Sequence, residues 1–278
     1  MVVYRKKTDN YRTQRRPLPV GFVAASLGGT IPANFTIRKA HSPVTNPQFE
    51  AIIFDHDGTL VDTESPDFEA CTILCREQGI ELSLEYWAEN IVGHMDGYTT
   101  LFNEQLHPAN PHFTLDNMWQ RLHQLWEKTL EHTQLMPGVE TLLPHLRKEG
   151  YKMGVATAAD RDWANRWLTR FNLLPYFQTV ATGQDVTRNK PAPDVYLLAA
   201  ELLGANPARC LVFEDSVAGA SSARAAGMTV VAVPSPITQS LDFSVANHTI
   251  SGLQNVSAAW IEQLARTVFG NGQQNLGD

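Results

Sequence analysis

Four apolar residues in a row, Ala51-Ile52-Ile53-Phe54, run straight into Asp55, His56, Asp57 and Gly58. The run is continuous rather than alternating, which predicts a strand buried on both faces of a parallel sheet. Four more short apolar runs follow much later, at 152–157 (KMGVAT), 178–183 (QTVATG), 209–215 (RCLVFED) and 228–233 (MTVVAV). Segments 161–171, 193–203 and 217–226 lie between them and read as helices. Alternating strand and helix predicts a parallel sheet covered on both sides. Between the first strand and the second the pattern changes. Residues 66–131 hold no convincing strand but several helical stretches, including 66–79, 83–93 and 114–132. The last spaces Leu115, Met118, Trp119, Leu122, Leu125, Trp126 and Leu130 three or four apart, a helix burying one broad face, with its tryptophans in the core. This helical block reads as a second, smaller domain inserted after the first strand.

Composition refines that picture. At 278 residues, 43% hydrophobic and 18% charged, the chain is an ordinary soluble globular protein with a sizeable core. No apolar run approaches the roughly 18 residues of a membrane span. Cys71 and Cys75 share a helix face and, with Cys210, make an odd set without a CxxC pair; core packing in a reducing compartment fits them. Residues 1–50 carry a net charge of +6 and the remainder −13. Residues 1–48, with Pro and Gly breaking any period, read as a basic, disordered extension. Three readings of it stay open: a dispensable tail or start-site artefact, an Arg-rich and acid-poor transit peptide, or a tether to nucleic acid or a membrane surface. The expected location is cytoplasmic, or an organelle stroma if the extension is a transit peptide. The acidic body argues against a nucleic-acid substrate.

The chemistry gathers where strands end. The first strand ends in Asp55 and Asp57, the second in Thr157, and the fourth in Glu214 and Asp215, while Lys190 lies in the loop RNKPAPD after the third. All of these converge on one edge of an open α/β sheet, the edge that binds ligands. Two like charges about 4 Å apart cost on the order of 4 kcal/mol at an effective dielectric near 20, so four carboxylates beside one lysine call for a cation. An oxygen-rich Asp/Glu site suits Mg²⁺. No Cys/His spacing offers a softer metal a home, and an EF-hand loop fits poorly because the glycine of DHDGTLVDTE stands fourth rather than sixth.

In order along the chain, DHDGT (55–59), VAT ending at Thr157, KPAPDVY from Lys190 and FEDSVAGASSARAAGM (213–228) resemble the four motifs of the haloacid dehalogenase-like (HAD) hydrolase superfamily. The match is to its helical-cap members, of the beta-phosphoglucomutase and phosphoglycolate phosphatase kind. The resemblance covers about residues 49–255. It implies an α/β fold, a Rossmann-like three-layer parallel-sheet core with an inserted α-helical cap. The implied boundaries are 49–64 and 136–260 for the core, 65–135 for the cap and 261–278 for a C-terminal tail.

The resemblance also implies roles. Asp55 is the nucleophile that forms an aspartyl-phosphate, and Asp57 protonates the leaving oxygen and later takes a proton from water. Asp57 must then be protonated while Asp55 is ionised, so their surroundings have to split their pKa values. Thr157 binds a phosphoryl oxygen, and Lys190 holds Asp55 and offsets charge on the transferring group. Asp215 is the chief Mg²⁺ ligand, with Asp55, the Asp57 backbone carbonyl, and Glu214 directly or through water; Ser216 caps the next helix and can orient a ligand. Gly58, Thr59, Ala158 and His94 are the expected substrate-binding positions, Gly58 and Thr59 in the turn that links chemistry to cap movement, and His94 in the specificity segment 92–100. That segment lacks the arginine by which hexose-phosphate mutases of the family grip a second phosphate, which favours hydrolysis. His56 is expected to point to the opposite face of the strand, in a structural role. The resulting expectation is a Mg²⁺-dependent phosphatase of carbohydrate metabolism acting on a small phosphorylated metabolite, a sugar phosphate or a phosphoglycolate-like compound. It would be a monomer or weak dimer without nucleic-acid or membrane partners. The alternatives are a sugar phosphomutase and a non-catalytic binding module.

Overall fold

The computed structural model describes residues 48–94 and 96–270; the expected basic extension, apart from Gln48, lies outside the described residues. Six parallel strands form one sheet in the order β3-β2-β1-β4-β5-β6. They are β1 (Ala51–Phe54), β2 (Lys152–Ala156), β3 (Thr179–Ala181), β4 (Cys210–Glu214), β5 (Thr229–Ala232) and β6 (His248–Thr249). The first strand is central and every one of its residues is buried, as its unbroken apolar run requires.

Alternate residues of β1 to β5 feed two cores. Ile52, Phe54, Met153, Val155, Leu211, Phe213 and Val231 pack with helices α6 (Val139–Lys148), α7 (Arg161–Arg170) and α10 (Ala258–Gly270). Ala51, Ile53, Ala156, Cys210, Val212 and Val230 pack with α8 (Asp194–Leu203) and α9 (Val217–Ala225). The result is the three-layer sandwich expected of the pattern. One boundary differs from expectation. Residues 261–270 are not tail: they continue α10, which buries Ile261, Leu264 and Ala265 against the sheet. Full burial of an Ile or Leu side chain is worth about 1.5–3 kcal/mol, enough to hold the helix down.

Between β1 and β2 lies a helical insert of α1 (Glu64–Glu77), α2 (Leu84–Asn90), α3 (Gly97–Leu101), α4 (His107–Ala109) and α5 (Leu115–Thr129), with a π-helical turn at Phe102–Leu106. Helix α5 starts with a reciprocal cap in which Thr114 Oγ1 accepts from the Asn117 amide at 3.2 Å and Asn117 Oδ1 from the Thr114 amide at 3.1 Å. Its Met118, Leu122 and Leu125 join Cys71, Leu74, Cys75 and Trp87 in a third apolar cluster. Ile237, from the loop after β5, is a member of that cluster too. The chain leaves and re-enters the sheet layer side by side: the Asp62 amide donates to Gln134 O at 2.9 Å and the Met136 amide to Leu60 O at 3.0 Å. Among the described residues no helix is long and apolar enough to cross a membrane.

Candidate active site

Register decides which side chains meet. Phe54 lies opposite Val155 and Phe213 on its two neighbouring strands, so Asp55, Thr157 and Asp215 emerge together at the carboxyl edge. Lys190 reaches in from its loop and is buried there. Its Nζ donates to Asp55 Oδ1 at 2.5 Å, to Glu214 Oε1 at 2.7 Å and to Tyr196 Oη at 3.2 Å. Tyr196 Oη also donates to Glu214 Oε1 at 3.0 Å, and the amide and hydroxyl of Ser216 donate to Glu214 Oε2 at 2.8 and 3.0 Å. Four donors on two oxygens use all the lone pairs of Glu214. Glu214 is thus a buried brace for Lys190. Ser216 Oγ in turn accepts from the Gly219 amide at 3.0 Å and so caps α9.

Asp215 is differently placed. Among the described residues its Oδ1 meets only Thr59 Oγ1, at 3.4 Å, and its Oδ2 is buried with no hydrogen-bond partner. The backbone carbonyl of Asp215 accepts from Thr238 Oγ1 at 2.7 Å. Gly58 lets the carboxylate come this close: it has φ +76°, and a Cβ there would lie 2.1 Å from Asp215 Oδ2. One carboxylate oxygen each from Asp55, Glu214 and Asp215 lie within 4.8 Å of one another. Burial raises the Asp55 pKa to about 7, Lys190 offsetting this in part while Glu214 and Asp57 add to it. Asp215 is raised well above the carboxylate range by burial and by Glu214 and Asp55. Lys190 goes up despite burial, because Asp55 and Glu214 hold its proton. Two carboxylates short of positive charge, one with an orphaned oxygen, fit a hard divalent cation. Asp55 and Asp215 would hold such an ion, while the four donors on Glu214 leave it no lone pair to spare.

The Asp57 carboxylate stands outside that group. Its Oδ1 accepts from Thr63 Oγ1 at 2.6 Å and from Trp163 Nε1 at 2.8 Å, with His56 Nδ1 3.1 Å away. Burial would raise its pKa, but His56 and the donors Thr63 and Trp163 outweigh this and lower it to about 2. The expected ordering of the two aspartates is therefore reversed. A cation against Asp55 would bring that group down, and a proton on Asp57 has to be supported by the bound substrate. His56 departs from expectation as well. The strand ends at Phe54, so alternation no longer applies at 56, and the fully buried imidazole turns towards Asp57; that carboxylate raises the His56 pKa against the effect of burial.

Thr157 Oγ1 donates to Asp57 Oδ2 at 3.4 Å and accepts from the Ala159 amide at 3.0 Å. Ala158 gives its carbonyl to Asn189 Nδ2 at 2.8 Å. Thr59 is buried beneath Asp215. His94 is exposed; beside it, Gly93 lies against the first turn of α9, where an added Cβ would be 3.2 Å from Ala218 Cβ. The edge thus gathers Asp55, Asp57, Gly58, Thr59, Thr157, Ala158, Lys190, Glu214 and Asp215, while His94 belongs to the helical insert.

Residues 52–233 match the family model of the haloacid dehalogenase-like hydrolases. The chain belongs to this family. The hydrolase is 32% identical over 234 residues to Protein CbbY of Rhodobacter capsulatus, covering 78% of this chain and 99% of that one. It is 34% identical over 184 residues to a phosphorylated carbohydrates phosphatase of Thermotoga maritima, covering 64% and 82%. Its fold matches a solved HAD family hydrolase from Deinococcus radiodurans with bound phosphate and sodium, at TM-score 0.66 and 25% identity over 79% of this chain and 98% of that one. It is a phosphoric monoester hydrolase. Sequence reasoning missed Trp163, Thr63 and Tyr196 in the hydrolase's site. Trp163 and Thr63 lie outside the four motifs, while Tyr196 closes KPAPDVY, where its spacing, six residues after Lys190 on the inner face of α8, was the one hint of a role.

Proposed function

We propose that the hydrolase removes phosphate from a small phosphorylated metabolite of the sugar phosphate or phosphoglycolate type, with Mg²⁺ as cofactor. The observation that carries this reading is the buried Lys190 clamp on Asp55 beside the orphaned carboxylate of Asp215. Such a site pairs an anionic nucleophile with positive charge for a phosphoryl group. The name of the Thermotoga maritima relative supports a carbohydrate phosphate.

Asp55 attacks phosphorus; a carboxylate O–P bond forms as the P–O bond to the leaving group breaks, and Asp57 passes its proton to the departing oxygen. Asp57 then takes a proton from water as that water attacks the aspartyl-phosphate, and phosphate leaves with Asp55 regenerated. Thr157 donates to a phosphoryl oxygen, and Lys190 offsets charge there. Asp55, Asp215 and the Asp57 carbonyl would hold Mg²⁺, which would supply charge neutralisation for the phosphoryl group. The helical insert acts as a cap over 65–135 that excludes water and presents segment 92–100, His94 included, to the leaving group.

The test is phosphate release from a panel of glucose 6-phosphate, ribose 5-phosphate, glycerol 3-phosphate, phosphoglycolate and nucleotides, with Mg²⁺ and with EDTA, for wild type and Asp55→Asn. Metal-dependent release that vanishes in the variant supports the proposal. Isomerisation of β-glucose 1-phosphate, primed by its bisphosphate and without phosphate release, overturns it.

A further inference from the structure

The two oxygens of Asp57 are unequal. Oδ1 carries the donors Thr63 Oγ1 and Trp163 Nε1, with His56 Nδ1 beside it. Among the described residues Oδ2 meets only Thr157 Oγ1, at the long distance of 3.4 Å, and the side chain is 21% exposed. In a neutral carboxyl the proton sits on the oxygen that is not already loaded with donors, because a loaded oxygen has no lone pair free for it. Oδ2 is therefore the oxygen that gives and takes the proton.

We propose that Trp163 is a positioning residue for this acid/base step. The proposal rests on the phosphatase reading above. The indole N–H fixes Oδ1 as the acceptor and so aims Oδ2 at the leaving oxygen. Trp163 is itself well anchored. It lies in the first turn of α7, where its amide donates to the cap residue Asp160 at 2.7 Å. Its ring meets Trp167 edge-on at 5.7 Å, and that ring is fully buried with the guanidinium groups of Arg166 and Arg170 at 4.9 and 5.2 Å. The other two groups at Oδ1 are less independent: His56 is the chain neighbour of Asp57, and Thr63 is the cap residue of α1, in the insert. Trp163 alone of the three holds Oδ1 from a helix of the sheet layer. When the P–O bond breaks, the Oδ2 proton moves to the leaving oxygen and the indole stabilises the charge left on the carboxylate. When water attacks, the same oxygen takes the proton back.

A proton delivered to the leaving group matters for an alkoxide and little for a p-nitrophenolate, which leaves unassisted. The readout is the ratio of kcat/KM on the best sugar phosphate of the panel to kcat/KM on p-nitrophenyl phosphate, measured on the full chain. Trp163→Phe keeps a ring and loses the N–H. With a hydrogen bond to a charged group worth a factor of about 10 to 100, the ratio is expected to fall by that much, and Asp57→Asn by more. An unchanged ratio, or equal losses on both substrates, overturns the proposal. Trp163→Gln restores an N–H donor without the stacking and is expected to recover part of the ratio; it stands in if the phenylalanine variant melts early, and a ratio as low as that of Asp57→Asn would count against the N–H. Wild-type protein inert towards every phosphate monoester is failure of the phosphatase reading. Active wild type with the Asp57→Asn signature but no Trp163→Phe effect is failure of this inference alone.

Discussion

Replacing glycine by alanine inside a helix ordinarily stabilises it by about 1 kcal/mol. At Gly219 of α9 the reverse is expected. An alanine Cβ would lie 1.5 Å from Glu214 Oε1 and 2.1 Å from its Cδ, far inside contact distance. No shift of a few tenths of an ångström relieves that, so the carboxylate has to leave its seat. It then gives up Lys190, Tyr196 and both donors of Ser216. Overpacking costs about 1–3 kcal/mol, and breaking a buried ion pair about 3–5 kcal/mol. Lys190 keeps Asp55, so the lower ends apply, and after the helix gain the net loss is about 3 kcal/mol. For a chain of this size that is a fall in Tm of about 6–12 °C. Because Lys190 loses its brace, kcat is expected to drop about 100-fold, as when a charge-stabilising donor is removed. Calorimetry and phosphate release with saturating Mg²⁺ measure both quantities on one preparation. A Gly219→Ala protein that melts at or above the wild-type temperature, with kcat within about twofold, would refute the assignment of Glu214 as the brace.

Asp215→Asn removes a buried, unpaired charge, so in EDTA the variant should melt above wild type, whereas millimolar Mg²⁺ should raise the Tm of wild type only; an equal Mg²⁺ shift in both would sink Asp215 as a ligand. Trp167→Ala empties a fully buried ring site and should cost about 3–5 kcal/mol in denaturant unfolding; less than 1 kcal/mol would mean that α7 does not depend on it. Asp67 accepts from Tyr98 Oη and from Trp126 Nε1 at 2.6 Å, yet burial outweighs these bonds and raises its pKa from 3.8 to about 6. The folded value lies above the unfolded one, so the folded state holds the proton more tightly and stability falls as pH rises from about 4 to 6, by up to about 3 kcal/mol. Asp67→Asn cannot ionise, and its stability relative to wild type should grow by that amount between pH 4 and 7; parallel stability curves would refute the reasoning.

Local pattern carried most of the fold. The runs at 152–157, 178–183, 209–215 and 228–233 became β2 to β5, because strands buried on both faces are apolar throughout and stand out from amphipathic helices. Strand β6 escaped notice since it is two exposed residues, His248 and Thr249, recruited by β5 rather than by their own preference. Helix α10 was divided because its apolar stripe of Ile261, Leu264 and Ala265 is diluted by Gln, Arg and Thr, and nothing local reveals the sheet face that it covers. At the site, Asp55, Asp57, Thr157, Glu214 and Asp215 were legible because they stand at the ends of adjacent strands. Trp163 was not: its meeting with Asp57 spans 106 positions and depends on where α7 starts and how Trp167 stacks, which is tertiary information.

Ile237 and Thr238 are neighbours with opposite allegiances, one seated in the apolar cluster of the insert and the other holding the backbone of Asp215. This pair bears on how the family can be re-engineered. A foreign insert grafted between Thr63 and Leu135 would bring its own specificity segment, but unless it offered an apolar seat for Ile237 it would also disturb the loop beneath Asp215. Chimaeras built by exchanging inserts should therefore carry residues 235–238 from the same donor, and those that leave this loop behind should lose metal affinity before they show any new substrate preference.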